Sequence, residues 1–75
     1  MKVEILSPNK KIYKGEARGV VLPAKEGEIQ ILENHAPLFA LLKEGKIVLD
    51  NGKEFFISSG IAQVQNNELT ILIKE

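Results

Sequence analysis

The chain contains no cysteine, one histidine and only four residues of the Phe, Tyr and Trp class. Without cysteine there are no disulfides and no thiolate metal ligands, and one histidine cannot furnish a multi-histidine metal cage. An excess of charge is missing too, since ten Lys and Arg balance ten Asp and Glu. That balance argues against affinity built on neutralising many phosphates or an anionic membrane surface, so nucleic acid is not an expected partner. No apolar run approaches the roughly 20 residues that span a bilayer, and the opening MKVEILSPNKK has neither the apolar stretch nor the cleavage site of an export signal. A soluble, unexported chain is expected. Its 75 residues form a single domain, residues 1–75, near the size at which folding buries only roughly 60% of the unfolded surface. With no covalent or metal staple, the core must rest on packing alone.

What is present is a succession of short extended segments. Val3 and Ile5 alternate with Lys2 and Glu4 until Ser7-Pro8-Asn9 turns the chain. Ile12 to Lys14 makes a short second strand stopping at Gly15. A third runs from Glu16 to Leu22, holds the β-branched pair Val20-Val21 and closes at Pro23. After a turn at Ala24 to Gly27, Ile29 and Ile31 share one face of a fourth strand. Pro37 cannot donate to a ladder and biases Ala36 toward extended geometry, so Leu38 to Leu42 should begin a strand at a sheet edge or corner. Those leucines also fit a helical face, but Lys43-Glu44-Gly45 cuts the run short of a typical helix. Asn51-Gly52, between Lys46–Leu49 and Lys53–Ser58, predicts a hairpin with a type I′ turn. Asn66-Asn67 separates Ile61–Gln65 from Leu69–Ile73 as a second hairpin. Turn signals every eight to twelve residues, with no sustained 3.6-residue period, predict an all-β fold, a small antiparallel β-sandwich of about 8–10 short strands. The expected core is Val3, Ile5, Val21, Ile29, Ile31, Leu38, Leu41, Val48, Phe56, Ile61, Val64, Leu69, Ile71 and Ile73.

Residues able to do chemistry are few. His35 is the one histidine available for acid–base work, but Ser7, Ser58 and Ser59 are the only serines and none lies in a nucleophile elbow. His35 reads better as a turn or surface residue in Asn34 to Pro37. Glu26 and Glu28 flank Gly27 on an exposed turn, where nothing desolvates them into an acid and base pair. The phosphate loop pattern is absent, and an oligonucleotide-binding barrel would want a basic groove with stacking aromatics. No catalytic, metal or cofactor-binding residue is assigned. A lipoyl or biotinyl carrier domain is the alternative reading, since it presents one lysine on a hairpin tip and Lys53 follows Asn51-Gly52. The D-K-A or M-K-M context of such carriers is missing.

A more extensive pattern runs through the whole chain: Val21-Leu22-Pro23, Glu26-Gly27-Glu28, Ile31-Leu32, Asn34-His35-Ala36-Pro37-Leu38, Leu42-Lys43-Glu44-Gly45, Ser58-Ser59-Gly60 leading to Val64, and Leu69-Thr70-Ile71-Leu72. In order and spacing it resembles the N-terminal β-sandwich domain of the epsilon subunit of F-type ATP synthases. Gln30 and Ser59 depart from the family pattern where glycine is usual, which requires either a negative φ or tolerated strain at those positions. The resemblance implies a non-catalytic rotor part, peripheral on the cytoplasmic face of the energy-coupling membrane, associating with the membrane only through its complex. Its implied partners are the gamma subunit and the c-ring of the ATP synthase. It places Glu26, Gly27 and Glu28 toward the c-ring, with Glu28 as the first candidate for a charged contact. It places Ser7, His35, Pro37, Leu38 and Ala40 toward gamma. Family members usually continue into a C-terminal helical hairpin, whereas this sequence ends at Glu75 as a short natural form or a trimmed one. The resemblance does not extend that hairpin's inhibition or ATP binding to these residues.

Overall fold

The computed structural model describes residues 1–74 and contains nine strands. These are β1 (Lys2–Leu6), β2 (Lys11–Glu16), β3 (Gly19–Ala24), β4 (Gly27–Leu32), β5 (Leu38–Leu42), β6 (Gly45–Leu49), β7 (Glu54–Ile57), β8 (Ser59–Gln65) and β9 (Glu68–Lys74). They hydrogen-bond in the order β2-β1-β9-β8-β5-β3-β6-β7, with β4 on β3. The β5–β3 join is a single pair, Ala24 with Leu42. At that crease the sheet folds over into two layers, β2-β1-β9-β8-β5 and β4-β3-β6-β7, as the sandwich reading expected. All pairs are antiparallel except β1 with β9.

One core fills the space between the layers. The first layer contributes Val3, Ile5, Leu42, Ala62, Val64, Leu69, Ile71 and Ile73, and the second Val20, Leu22, Ala24, Ile31, Ile47, Leu49 and Ile57. No polar side chain is buried among the described residues. Where charged and apolar residues alternate, as in Lys2-Val3-Glu4-Ile5, the expected inward face is the observed one. Unbroken apolar runs come out one residue off the expectation. Val20 rather than Val21, Ile47 and Leu49 rather than Val48, Ile57 rather than Phe56, Leu42 rather than Leu41, and Ala62 rather than Ile61 point inward. Phe56 is 77% exposed and Leu41 50%. Adjacent apolar residues support both phases of a period-2 pattern equally, so cross-strand register makes the choice. Val20 pairs with Ile31 and Leu49, which pins β3, β4 and β6 in one phase.

Boundaries and turns differ from expectation in instructive ways. Pro23 does not close a strand but sits inside β3, paired with Glu28. Its carbonyl accepts the Lys43 N–H at 2.9 Å, so its missing N–H faces the same edge, in the gap between the β6 and β5 pairings. The ladder to β4 loses nothing. Gly45 passes this proline so closely that a Cβ there would lie 2.8 Å from the Pro23 ring. The type I′ turn is not at Asn51-Gly52. There only Gly52 has positive φ (93°), its N–H reaches the Leu49 carbonyl at 3.0 Å, and the Asn51 side chain accepts the Lys53 N–H at 3.0 Å. This is a three-residue loop with a glycine bulge. Asn66 (φ 54°) and Asn67 (φ 59°) instead make the two-residue type I′ turn, joining Gln65 to Glu68. Gln30 and Ser59 both keep negative φ, so neither departure from glycine strains the backbone.

Candidate functional site

The outward residues of the first layer form three rows across the strands. Leu6, Leu72, Ile61 and Leu41 stand side by side on β1, β9, β8 and β5. The next row is Glu4, Thr70, Gln63 and Phe39, and the last begins Lys2, Glu68, Gln65. One end of this face is therefore a continuous apolar stripe, and the other is polar. Leu41 and Leu72 are about half exposed and Phe39 63% exposed, more than isolated surface leucines require. The stripe floors a groove of about 450 Å³ whose wall includes Ser7 and whose rim carries Lys25 and Lys74.

The β3–β4 hairpin tip, Lys25 to Glu28, stands beside β5. Gly27 takes φ 134° while Lys25 and Glu26 keep negative φ. Between this tip and β5 lies a second groove of about 560 Å³, lined by Ile29, Leu38, Phe39 and Ala40 with Glu26 and Glu28 at its lip. Residues expected on two separate surfaces thus border one cleft. Ser7 lines the first groove with Leu41, whereas His35 lies beyond the opposite end of β5. Its ring Nδ1 is 2.7 Å from the Ala36 carbonyl, and its backbone N–H reaches the Leu32 carbonyl at 3.2 Å. Pro37 is exposed. Leu38 and Ala40 point inward and pack against the core, so the side chains that β5 presents to the outside are Phe39 and Leu41.

Reading the sequence did not assign Leu6, Phe39 or Leu72 to this face, and assigned Leu41 and Ile61 to the core. A usable signal existed: Ile5-Leu6, Leu38 to Leu42 and Ile71 to Ile73 carry large apolar residues in both phases, so one phase had to face outward. Lys53 is exposed beside its turn, with its backbone N–H held by Asn51. No group of three or more His, Cys, Asp or Glu stands together among the described residues. No helix there is long and apolar enough to cross a membrane.

Comparison with known proteins agrees over the whole length. Residues 1–75 match the family model described as the ATP synthase delta/epsilon chain β-sandwich domain. The ATP synthase epsilon chain of Alkalilimnicola ehrlichii is 42% identical over 74 residues, covering 93% of this chain and 53% of the relative. That of Clostridium kluyveri is 43% identical over 76 residues, covering 96% and 58%. This chain thus spans about half the length of these relatives. Among solved structures, a chain of the Tetrahymena thermophila mitochondrial ATP synthase central stalk and c-ring superposes with a TM-score of 0.80 at 16% identity. It covers 99% of this chain and 63% of its own. A chain of the Euglena gracilis mitochondrial ATP synthase assembly of OSCP, F1 and c-ring gives 0.82 at 24%, covering 97% and 49%. At those identities the two structures show a shared fold.

Proposed function

This chain belongs to the ATP synthase delta/epsilon β-sandwich family, and from that membership we propose that it is a non-catalytic part of an F-type ATP synthase rotor. In this reading it is a peripheral element of the central stalk, on the cytoplasmic face of the energy-coupling membrane. It packs on the gamma subunit, meets the c-ring through the Glu26-Gly27-Glu28 turn, and turns with both. The observation that carries the reading is the stripe Leu6-Leu72-Ile61-Leu41 with Phe39 at its end, an apolar surface on which Leu41, Leu72 and Phe39 stand open to solvent. Covering the open side chains of Leu41, Leu72 and Phe39 is worth roughly 1 kcal/mol each before the costs of association.

The division of labour follows the chemistry of the two surfaces. Gamma covers the apolar stripe, with Ser7 beside it and His35 and Pro37 at the far end of β5, while Leu38 and Ala40 support the strand from beneath. The exposed carboxylates of Glu26 and Glu28 meet the c-ring as rim contacts, each worth about 0.2–1 kcal/mol. Such contacts set register and partner choice more than affinity. Rigidity is the mechanical contribution: two hydrogen-bonded layers with an all-apolar core resist shear under torque.

The test is to mix the chain with its cognate gamma subunit at micromolar concentration and follow the mixture by size exclusion. A one-to-one complex is expected, and Leu72→Glu should abolish it while leaving the free domain folded. Native chain that elutes apart from gamma would falsify the assignment.

A further inference from the structure

The β8–β9 turn and the β4–β5 loop meet at one corner, and Asn67 ties them. Asn34, Asn66 and Asn67 all have left-handed backbones, with φ of 60°, 54° and 59°, a conformation that asparagine tolerates better than other side-chain-bearing residues. Asn66 and Asn67 need it to close a two-residue hairpin. Asn34 has no such hairpin, and its backbone N–H donates to Oδ1 of Asn67 at 2.8 Å, across 33 residues of sequence. The Asn67 carbonyl in turn accepts the Lys2 N–H at 3.2 Å. One residue therefore joins the start of β1, the last hairpin and the loop carrying His35. Besides the turn bond from the His35 N–H to the Leu32 carbonyl at the end of β4, the Asn34–Asn67 bond is the hydrogen bond found, among the described residues, to tie the segment Asn34 to Pro37 to a distant part of the chain.

We propose that Asn67 is a positioning residue for the gamma-facing surface, holding His35 and Pro37 in the conformation that gamma meets. The proposal rests on the rotor reading above. Its physical content is a population argument. With the side-chain acceptor in place the loop has one dominant arrangement; without it, loss of a hydrogen bond of ordinary net strength lowers that arrangement's weight about fivefold. The apparent affinity for gamma falls by the same factor.

Two substitutions separate the acceptor from the turn. Asn67→Gly keeps the left-handed backbone and removes Oδ1, whereas Asn67→Asp keeps an acceptor at that position. Amide exchange of Asn34, read by NMR on the free chain, and affinity for gamma, read by calorimetry at physiological salt, are measured for native chain and both variants. Protection of Ile71 monitors global folding. The expected result is about fivefold faster exchange at Asn34 and about fivefold weaker gamma binding for Asn67→Gly, with Ile71 unchanged and both properties restored in Asn67→Asp. If Asn34 stays protected in the glycine variant, or exchanges freely while gamma binds as tightly as before, the role of Asn67 is overturned and the rotor reading stands. Equal weakening by glycine and aspartate overturns it as well. Native chain that does not bind gamma overturns both.

Discussion

The two open sides of the sandwich are built from similar residues and end differently. On one side β2 and β7, the two ends of the strand order, are bridged by Tyr13 and Phe55, whose rings lie 5.3 Å apart at 50°. That tilted arrangement is favoured for aromatic pairs, and the Asn51 side chain donates to the Tyr13 hydroxyl at 3.4 Å, extending the closure. On the other side β4 is paired only to β3, and β5 reaches β3 at one position. There a groove of about 560 Å³ lies between the β3–β4 tip and β5, and Phe39 on its wall is 63% exposed. One seam is sealed from within the chain, and the other leaves apolar surface for something else to cover.

The largest effect is expected at the sealed seam. Phe55→Ala removes half of the bridging pair and should destabilise the domain by about 2 kcal/mol, below the 3–5 kcal/mol of a fully buried phenylalanine because Phe55 is only partly buried. Urea unfolding should show the midpoint lowered with an unchanged slope; a loss under about 0.5 kcal/mol would mean that the two layers hold without the bridge. At the open seam the corresponding change, Phe39→Ala, should move stability by no more than about 0.5 kcal/mol. On the proposed rotor reading its effect falls on gamma binding, which titration calorimetry should show weakened about tenfold, since aromatic side chains in an interface tend to carry its energy. The smallest effect is expected at the lip of that seam. Glu28→Gln should leave folding and gamma binding unchanged and reduce association with c-rings in detergent by a factor of about two to five, the size of a rim ion pair. A larger loss would make Glu28 an anchor of the c-ring contact.

Much of this was legible from the residues. Charges interleave with Val3 and Ile5, and only one face of such a strand can be buried, so its orientation needs no tertiary information. The turn positions were legible for the same kind of reason, since Asn51-Gly52 and Asn66-Asn67 interrupt apolar runs. Their types were not. Asn-Gly favours a type I′ turn, but the Asn51 side chain instead accepts the Lys53 N–H and the loop widens by one residue. The placing of Ala40 toward gamma, and of Leu38 both in the core and toward gamma, illustrates the limit at the candidate site. Five apolar residues in a row present the same chemistry in either phase, and only pairing of Leu38 with Val64 and Ala40 with Ala62 turns those two inward and leaves Phe39 and Leu41 outside.

By itself, then, the order of residues determined an all-β chain of short strands, the places where it turns, the face of each strand on which charge is interleaved, and the family pattern that runs through it. Those features depend on local periodicity and on residues with restricted backbone preferences. The folded structure decided which phase of each apolar run is buried, which seam is sealed, and that Leu6, Leu72, Ile61 and Leu41 from four separate strands form one stripe. A period of two has two equivalent phases, and contact with neighbouring strands, absent from any local stretch of sequence, selects between them.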